Sequence, residues 1–263
     1  MMPPESAGVD ALIGFTGFVG GNLARQRSFD LLYNSTNIAD IRNKTFGTLV
    51  CAGVKAEKWR ANQDPAADLE SIERLWKSLT TVTARKFVLI STVDVYPAPN
   101  GVDETTAIDP RESQPYGRHR YELEERVADR FDSLILRLPA LFGRGLKKNA
   151  LFDLLHGNQT DRIDSRGVFQ FYDVGRLSTE ITIAVDNNLS LVNVATEPLS
   201  IEEIASDCFG EPFINHVLPQ PPRYDFRSIY ASLFGGSRGY LIGREELKQA
   251  LTHWIVTERA HTS

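Results

Sequence analysis

Cysteine is nearly missing: Cys51 and Cys208 are the only two in 263 residues, which excludes a disulfide scaffold and a cysteine-rich zinc module. The five histidines are scattered without HExxH spacing, so a zincin is excluded and no metal site is expected. Apolar runs are short, none near the ~20 residues that span a bilayer, and no membrane partner is expected. Basic residues are outnumbered 29 to 34, giving a net charge of −5, so a broad grip on a nucleic-acid backbone is not expected. Met1 to Asp10 has no basic region followed by a long apolar stretch and does not read as a signal peptide. A cytoplasmic protein is the simplest expectation. Repeats and low-complexity tracts are also missing. A chain of this length buries roughly 70–75% of its unfolded surface, enough for a core without covalent staples.

What is present is a rhythm of short apolar runs. Ala11-Leu12-Ile13, Leu31-Leu32-Tyr33, Thr48 to Ala52, Phe87 to Ile90 and Ser133 to Leu138 read as five strands. Continuous apolar strands suit a parallel sheet covered on both faces. Between them, Ala66 to Val82 places Leu69, Ile72, Leu75, Trp76 and Leu79 at helical spacing, and Pro115 to Arg130 reads as a second, more charged helix. Strands alternating with helices predict an α/β, Rossmann-type doubly wound sheet. After about residue 143 the rhythm weakens. Helices are expected at Ala150 to Leu155, Thr179 to Asn187, Ser200 to Cys208 and Arg244 to Val256, with a strand at Leu191 to Val194. Ser200 and Glu203 have the spacing of a capping box. The division expected is a dinucleotide-binding domain over 8–143, to which later segments return, and a small, mainly substrate-binding lobe over 144–263.

Gly14, Gly17 and Gly20 follow the first strand at three-residue intervals and open a helix. Gly14 suits the tight turn, Gly17 lets backbone approach a pyrophosphate, and Gly20 permits close helix–strand packing. The N–H groups around Thr16, Phe18 and Val19, together with the helix dipole, favour an anion. An ordinary glycine-rich connection would carry the same letters; the strand-then-helix setting favours the dinucleotide. After the second strand, where such sites usually hold an acid for the ribose hydroxyls, stand Asn34, Ser35 and Thr36. Both NAD and NADP remain open as cofactors.

Ser91-Thr92-Val93-Asp94-Val95-Tyr96 follows the fourth strand at the sheet's carboxyl edge, and Tyr116 opens a helix with Arg120 one turn later. A tyrosine serves as acid or base when a neighbouring cation lowers its pKa from about 10.

These segments together resemble the extended short-chain dehydrogenases/reductases, specifically the NAD-dependent sugar-nucleotide epimerase/dehydratase group. The likeness rests on Gly14, Gly17 and Gly20, on the Ala52-Gly53 turn, on Ser91 to Tyr96 with Pro97 in place of a glycine, and on Tyr116. Arg137 to Gly143, Phe169 to Val174 and Leu191 to Ser200 extend it to about Leu251. Arg120 departs from it, standing where the family has lysine. The resemblance implies an epimerase or oxidoreductase acting on a nucleotide-linked sugar by hydride transfer. Thr92 would polarise the sugar oxygen, Tyr116 would exchange its proton, and Arg120 would hold the nicotinamide ribose and keep positive charge beside Tyr116. Asp94 would face the sugar; with Val93 in place of a second acid, a 4,6-dehydratase is not expected. Ala52, Gly53, Ser91 and Pro139 would line the cofactor, and Arg144 and Arg223 would meet the substrate diphosphate. The helices Ala66 to Val82 and Pro115 to Arg130 resemble those of the family's homodimer. The alternative, from a different class, is a cofactor-binding regulator or scaffold with weak or no catalysis.

Overall fold

The glycine-rich turn, the serine–threonine segment and Tyr116 all lie at the ends of sheet strands, and the sheet explains why. In the computed structural model, which describes residues 8–262, the chain runs β1 (Ala11–Ile13), α1 (Phe18–Gln26), β2 (Leu31–Tyr33), β3 (Thr45–Cys51), α2 (Lys58–Gln63), α3 (Pro65–Leu79), β4 (Thr83–Thr92), α4 (Pro115–Arg130) and β5 (Ser133–Leu138). It continues through β6 (Ala140–Phe142), α5 (Ala150–His156), β7 (Val168–Phe169), β8 (Phe171–Asp173), α6 (Leu177–Asp186), β9 (Leu191–Asn193), β10 (Leu199–Ser200), α7 (Ile201–Ile204) and α8 (Arg244–Thr262). Most of the Met1 to Asp10 segment, read above for a leader, lies outside the described residues.

The main sheet has six strands in the order β2-β1-β3-β4-β5-β9, with β1 parallel to β2 and β3, and β3 parallel to β4. The chain order reverses direction at β1, so the crevice beyond the carboxyl ends of β1 and β3 is the switch point where such sheets bind ligands. This is the Rossmann-type arrangement. β1 and β5 are buried at every residue, and β3 at five of its seven.

Two contact units divide the chain. One comprises residues up to Pro97 with Ile108–Leu136 and Ala184–Leu191; the other comprises Ala98–Ala107, Arg137–Ile183 and the residues from Val192 onward. In the first, Ile72, Leu75 and Leu79 of α3 and Leu123 and Val127 of α4 pack on Ile13, Leu49, Phe87 and Leu89 of the sheet. Burying each such side chain stabilises the fold by roughly 1.5–3 kcal/mol. α3 starts where Asp64 accepts the Ala67 N–H at 3.1 Å with Pro65 in the first turn, and it stops at Leu79, before the β-branched run Thr80 to Thr83. The helix read as far as Val82 is therefore shorter, and those residues lead into a longer β4.

In the second unit β6 pairs in parallel with β8, and β7 pairs antiparallel with β10. Ser200 and Glu203 form the expected capping box. The helix read over Ser200 to Cys208 divides into α7 and a π-turn over Ala205–Phe209 that ends on Gly210 at φ +74°. Glu104 accepts hydrogen bonds from the Asn193 N–H (2.8 Å), the Ser228 hydroxyl (2.6 Å) and the Ile229 N–H (2.9 Å), which ties a loop and two distant segments together. Among the described residues no helix is long and apolar enough to cross a membrane.

Candidate active site

Gly14 ends β1 with φ +89°, a conformation only glycine holds cheaply, and its N–H donates to the Tyr33 carbonyl at 2.7 Å. A Cβ there would fall 2.3 Å from the Ala52 carbonyl oxygen, so the Gly14 and Ala52-Gly53 turns lie against each other at the switch point. A Cβ on Gly20 would fall 2.2 Å from the Gly14 carbonyl, which is the close packing expected of it. Gly17 differs. It is exposed, and a Cβ on it would meet only the Gly14 carbonyl oxygen, at 3.3 Å. Gly17 is also the N-cap of α1 and has no capping side chain, so the first-turn N–H groups face whatever sits over the glycine. Thr16 is exposed, and Phe18 and Val19 are half-buried. The cradle fits a pyrophosphate: two glycines are fixed by packing, and the third leaves backbone open to an anion.

After β2, the Asn34 Oδ1 accepts from the Thr36 N–H (2.9 Å) and the Thr36 hydroxyl (2.7 Å), an Asx turn that engages the carbonyl side of the Asn34 amide. Ser35 is exposed on this turn. The Asn34 N–H is held by Asn37 Oδ1 at 2.7 Å.

Thr92 ends β4 and caps a short 3₁₀ turn, Val93–Val95, by accepting the Asp94 N–H at 3.2 Å. α4 begins at Pro115 and packs so closely here that a Cβ on Gly117 would lie 2.0 Å from the Asp94 carbonyl oxygen. That approach sets Tyr116 beside the turn that carries Thr92 and Asp94. The structure thus assembles Thr92, Asp94 and Tyr116 in one place. Tyr116 is buried, and burial raises its pKa above the ordinary phenol value; Arg120, the Thr92 hydrogen bond and Lys58 oppose the rise, while Asp94 adds to it.

Arg120 stacks on the Tyr116 ring, its guanidinium carbon 3.8 Å from the ring centre. Its terminal nitrogens are engaged elsewhere. Nη1 donates to Asp68 Oδ2 (2.8 Å) and the Tyr116 carbonyl (2.9 Å); Nη2 donates to Asp68 Oδ1 (2.9 Å) and the Lys55 carbonyl (2.6 Å). All four terminal N–H groups are thereby used, and only Nε–H is left of the five donors. His119 Nδ1 donates to the same Asp68 at 2.8 Å, and both basic side chains are 4% exposed. This is a buried clamp from α4 to α3.

Ser91 donates to the buried carboxylate of Glu124, so its hydroxyl is tied to α4. Pro139 is half-buried between β5 and β6, and Arg144 and Arg223 are exposed; all three belong to the second unit. Cys51 is buried at the end of β3. Burial pushes its thiol up to about 11 against a hydrogen bond from the Gly53 backbone, so it is no nucleophile.

Sequence reading missed four contributors. Asp68 and His119 build the Arg120 clamp, and Asn62 of α2 accepts the Tyr116 N–H at 3.0 Å. Lys58, one turn before Asn62, places Nζ 2.7 Å from Asp94 Oδ1. The available signal was position: α2 follows directly on the Ala52-Gly53 turn.

Residues 35–156 match the model of the NAD dependent epimerase/dehydratase family, a stretch that includes Thr92, Asp94, Tyr116 and Arg120 and begins after the glycine turn. No curated protein sequence matches the chain. Among solved structures, the chain is similar to a dTDP-4-dehydrorhamnose reductase from Clostridium acetobutylicum, with a TM-score of 0.74 at 16% identity over 95% of this chain and 99% of that one. It is also similar to a UDP-N-acetylglucosamine 4-epimerase from Methanobrevibacter ruminantium in complex with UDP-N-acetylmuramic acid (TM-score 0.72, 12% identity, 96% and 99% covered). A third is the dTDP-4-dehydrorhamnose reductase from Bacillus anthracis in complex with NADP (TM-score 0.72, 16% identity, 95% and 98% covered). At these identities the likeness establishes the fold.

Proposed function

From a chain whose residues 35–156 match the model of the NAD dependent epimerase/dehydratase family, we propose an NAD(P)-dependent epimerase or oxidoreductase that acts on a nucleotide-linked sugar. The observation that carries this reading is the close approach of α4 to the turn after β4, which sets Tyr116 beside Thr92 and Asp94, in the same unit as the glycine cradle at β1. The dinucleotide would lie on the backbone of Gly14 to Gly20, with Ala52 and Gly53 beside it and Asn34 to Thr36 at its ribose. The nicotinamide supplies hydride transfer when bound. Thr92 donates a hydrogen bond to the sugar oxygen and Tyr116 moves the proton at that oxygen, while Asp94 borders the same space. Arg144 and Arg223 are assigned to the substrate diphosphate, and the second unit to substrate binding.

Arg120 enters this reading as a structural part. Its hydrogen bonds to Asp68 and the Lys55 carbonyl leave Nε–H alone for a ribose, so its contribution is the charge over the Tyr116 ring and the fixed pose of α4. The binding-only alternative rested on arginine at this position. The clamp accounts for that arginine without any loss of Thr92 or Tyr116. A homodimer through α3 and α4 belongs to the same proposal.

The test is the purified protein with NAD and NADP, then with a panel of UDP- and dTDP-linked sugars. Dinucleotide binding and turnover of one sugar are expected, with Tyr116→Phe losing ~10²–10⁴-fold in turnover and little in dinucleotide affinity. Full turnover by the Phe variant would remove Tyr116 from the chemistry. Failure of the parent protein to bind either dinucleotide would remove the function.

A further inference from the structure

A long, flexible arginine on a helix ordinarily sweeps through many rotamers with its head in water. Arg120 does neither. Its side chain is 4% exposed, and its guanidinium carbon lies 3.8 Å from the centre of the Tyr116 ring. Two of the four hydrogen bonds that hold it go to backbone carbonyls, of Tyr116 at 2.9 Å and of Lys55 at 2.6 Å. The other two go to Asp68 of α3, at 2.8 and 2.9 Å, so Asp68 supplies the charged acceptors of the set. A bidentate carboxylate takes the edge of a guanidinium and leaves its face to a ring. Asp68 is itself 9% exposed and is held also by His119 Nδ1 at 2.8 Å.

We propose that Asp68 is a positioning residue for the candidate acid–base tyrosine: it fixes the Arg120 guanidinium over the Tyr116 ring. The proposal rests on the functional reading above and adds a residue of α3 to it. A cation over an aromatic face favours phenolate over phenol, because ionisation puts more negative charge into the ring it touches. Burial strengthens the effect, and Tyr116 is 6% exposed. Asp68 brings two opposed influences to bear. Its own negative charge disfavours phenolate, whereas its grip keeps the cation where phenolate needs it. The guanidinium is in contact with the ring, so the grip is assigned the larger effect. Among the charged groups around Tyr116, Arg120 of α4 acts on it most strongly, ahead of Asp94 of the turn after β4 and Lys58 of α2. Asp68 touches Arg120, and His119 of α4 touches Asp68.

The experiment labels the protein with 3-fluorotyrosine, whose fluorine acidifies the phenol, and follows Tyr116 by fluorine NMR against pH. Tyr116→Phe assigns the signal. Asp68→Asn should raise the Tyr116 midpoint by about one pH unit, and Arg120→Met by at least as much. In the Arg120→Met background, Asp68→Asn should no longer raise it, because the group through which Asp68 acts is gone. That double variant removes both buried charges together and leaves neither without its partner. A carboxylate that only braced the fold would leave the midpoint where it is or, through its lost charge, lower it. An unmoved or lowered midpoint in Asp68→Asn, or an equal rise with and without Arg120, overturns the proposal. So does a Tyr116 signal that does not titrate before the parent unfolds in alkali. One measurement needs no variant: in the parent, the Arg120 guanidinium protons should exchange slowly with water and show contacts to the Tyr116 ring. Fast-exchanging protons without those contacts would also overturn it. Turnover of Asp68→Asn in sugar oxidation should fall about tenfold at neutral pH with KM near parental, and recover as pH rises. The titration needs neither cofactor nor substrate. A raised midpoint in a protein that binds no dinucleotide would defeat the functional reading and leave Asp68 in its place. Dinucleotide binding with an unmoved midpoint would do the reverse.

Discussion

Arg120 grips Asp68 through both terminal nitrogens, at 2.8 and 2.9 Å, across a sequence separation of 52 residues. Lysine could reach one carboxylate oxygen but not two at once, and could not also hold the Lys55 carbonyl. Arg120→Lys should therefore lower stability, and Arg120→Ala should cost more, about 3–5 kcal/mol, because Asp68 would stay buried beside His119 alone. Urea unfolding of the three proteins measures this. Unchanged midpoints would mean that the clamp adds nothing.

The same carboxylate makes acid stability measurable. Burial raises the Asp68 pKa, but hydrogen bonds from Arg120 and His119, with their charges, outweigh it and hold the group below its ordinary value. A folded-state pKa below the unfolded one gives stability that is present above the ordinary carboxylate pKa and is lost as pH falls through the folded one. Unfolding free energy should thus decline below about pH 4. Asp68→Asn should start lower at neutral pH and show a shallower acid slope. Equal slopes in the two proteins would assign the acid loss to other carboxylates.

Substitutions in the glycine turn should separate binding from folding. Gly20→Ala would drive its Cβ to 2.2 Å from the Gly14 carbonyl, a backbone clash that must displace α1 from β1. Gly17→Val meets that carbonyl at 3.3 Å and otherwise points outward, so it should fold with near-parental stability and lose dinucleotide affinity by tenfold or more. Paired thermal unfolding and dinucleotide titration check both. A folded Gly17→Val with parental affinity would move the pyrophosphate off this turn.

Much of this architecture is written in local sequence. β1, β2, β5 and α4 have the bounds that their apolar runs and the opening Pro115 imply. β3 and β4 run longer than their apolar cores because Thr45↔Thr83 through Cys51↔Leu89 continue one parallel register. Lys86 in the polar half of β4 is secured by Asp132 at 2.7 Å, a partner 46 residues away. α2 escaped notice for a physical reason: of Lys58 to Gln63 only Ala61 is buried, so no apolar stripe marks the helix. Thr92, Asp94 and Tyr116 were legible because each sits at a strand or helix end. The partners that decide what Arg120, Ser91 and Asp94 do, namely Asp68, Glu124 and Lys58, come from other elements, and no spacing within one segment reports them.

The ribose end of the cradle offers the last test. Asn34 uses its carbonyl oxygen to hold the Thr36 N–H and hydroxyl, at 2.9 and 2.7 Å, so what its side chain has left to offer a ligand is the amide N–H donors. A donor suits a 2′-phosphate, whereas the ribose diol of NAD is best met by an acceptor such as a carboxylate. Asn34→Asp would keep one oxygen on Thr36 and turn the second, with its charge, towards the ribose. The turn should persist, because both of its hydrogen bonds survive. The ratio of NADP to NAD affinity should then fall by about tenfold or more, chiefly through weakened NADP, since a carboxylate facing a phosphate is repelled. Dissociation constants for both dinucleotides, measured at low and at physiological salt, decide the matter. Repulsion predicts that the loss of NADP binding shrinks as salt rises. A ratio that does not change at either salt concentration would place the adenine ribose away from Asn34 and would require a different path for the dinucleotide across β2.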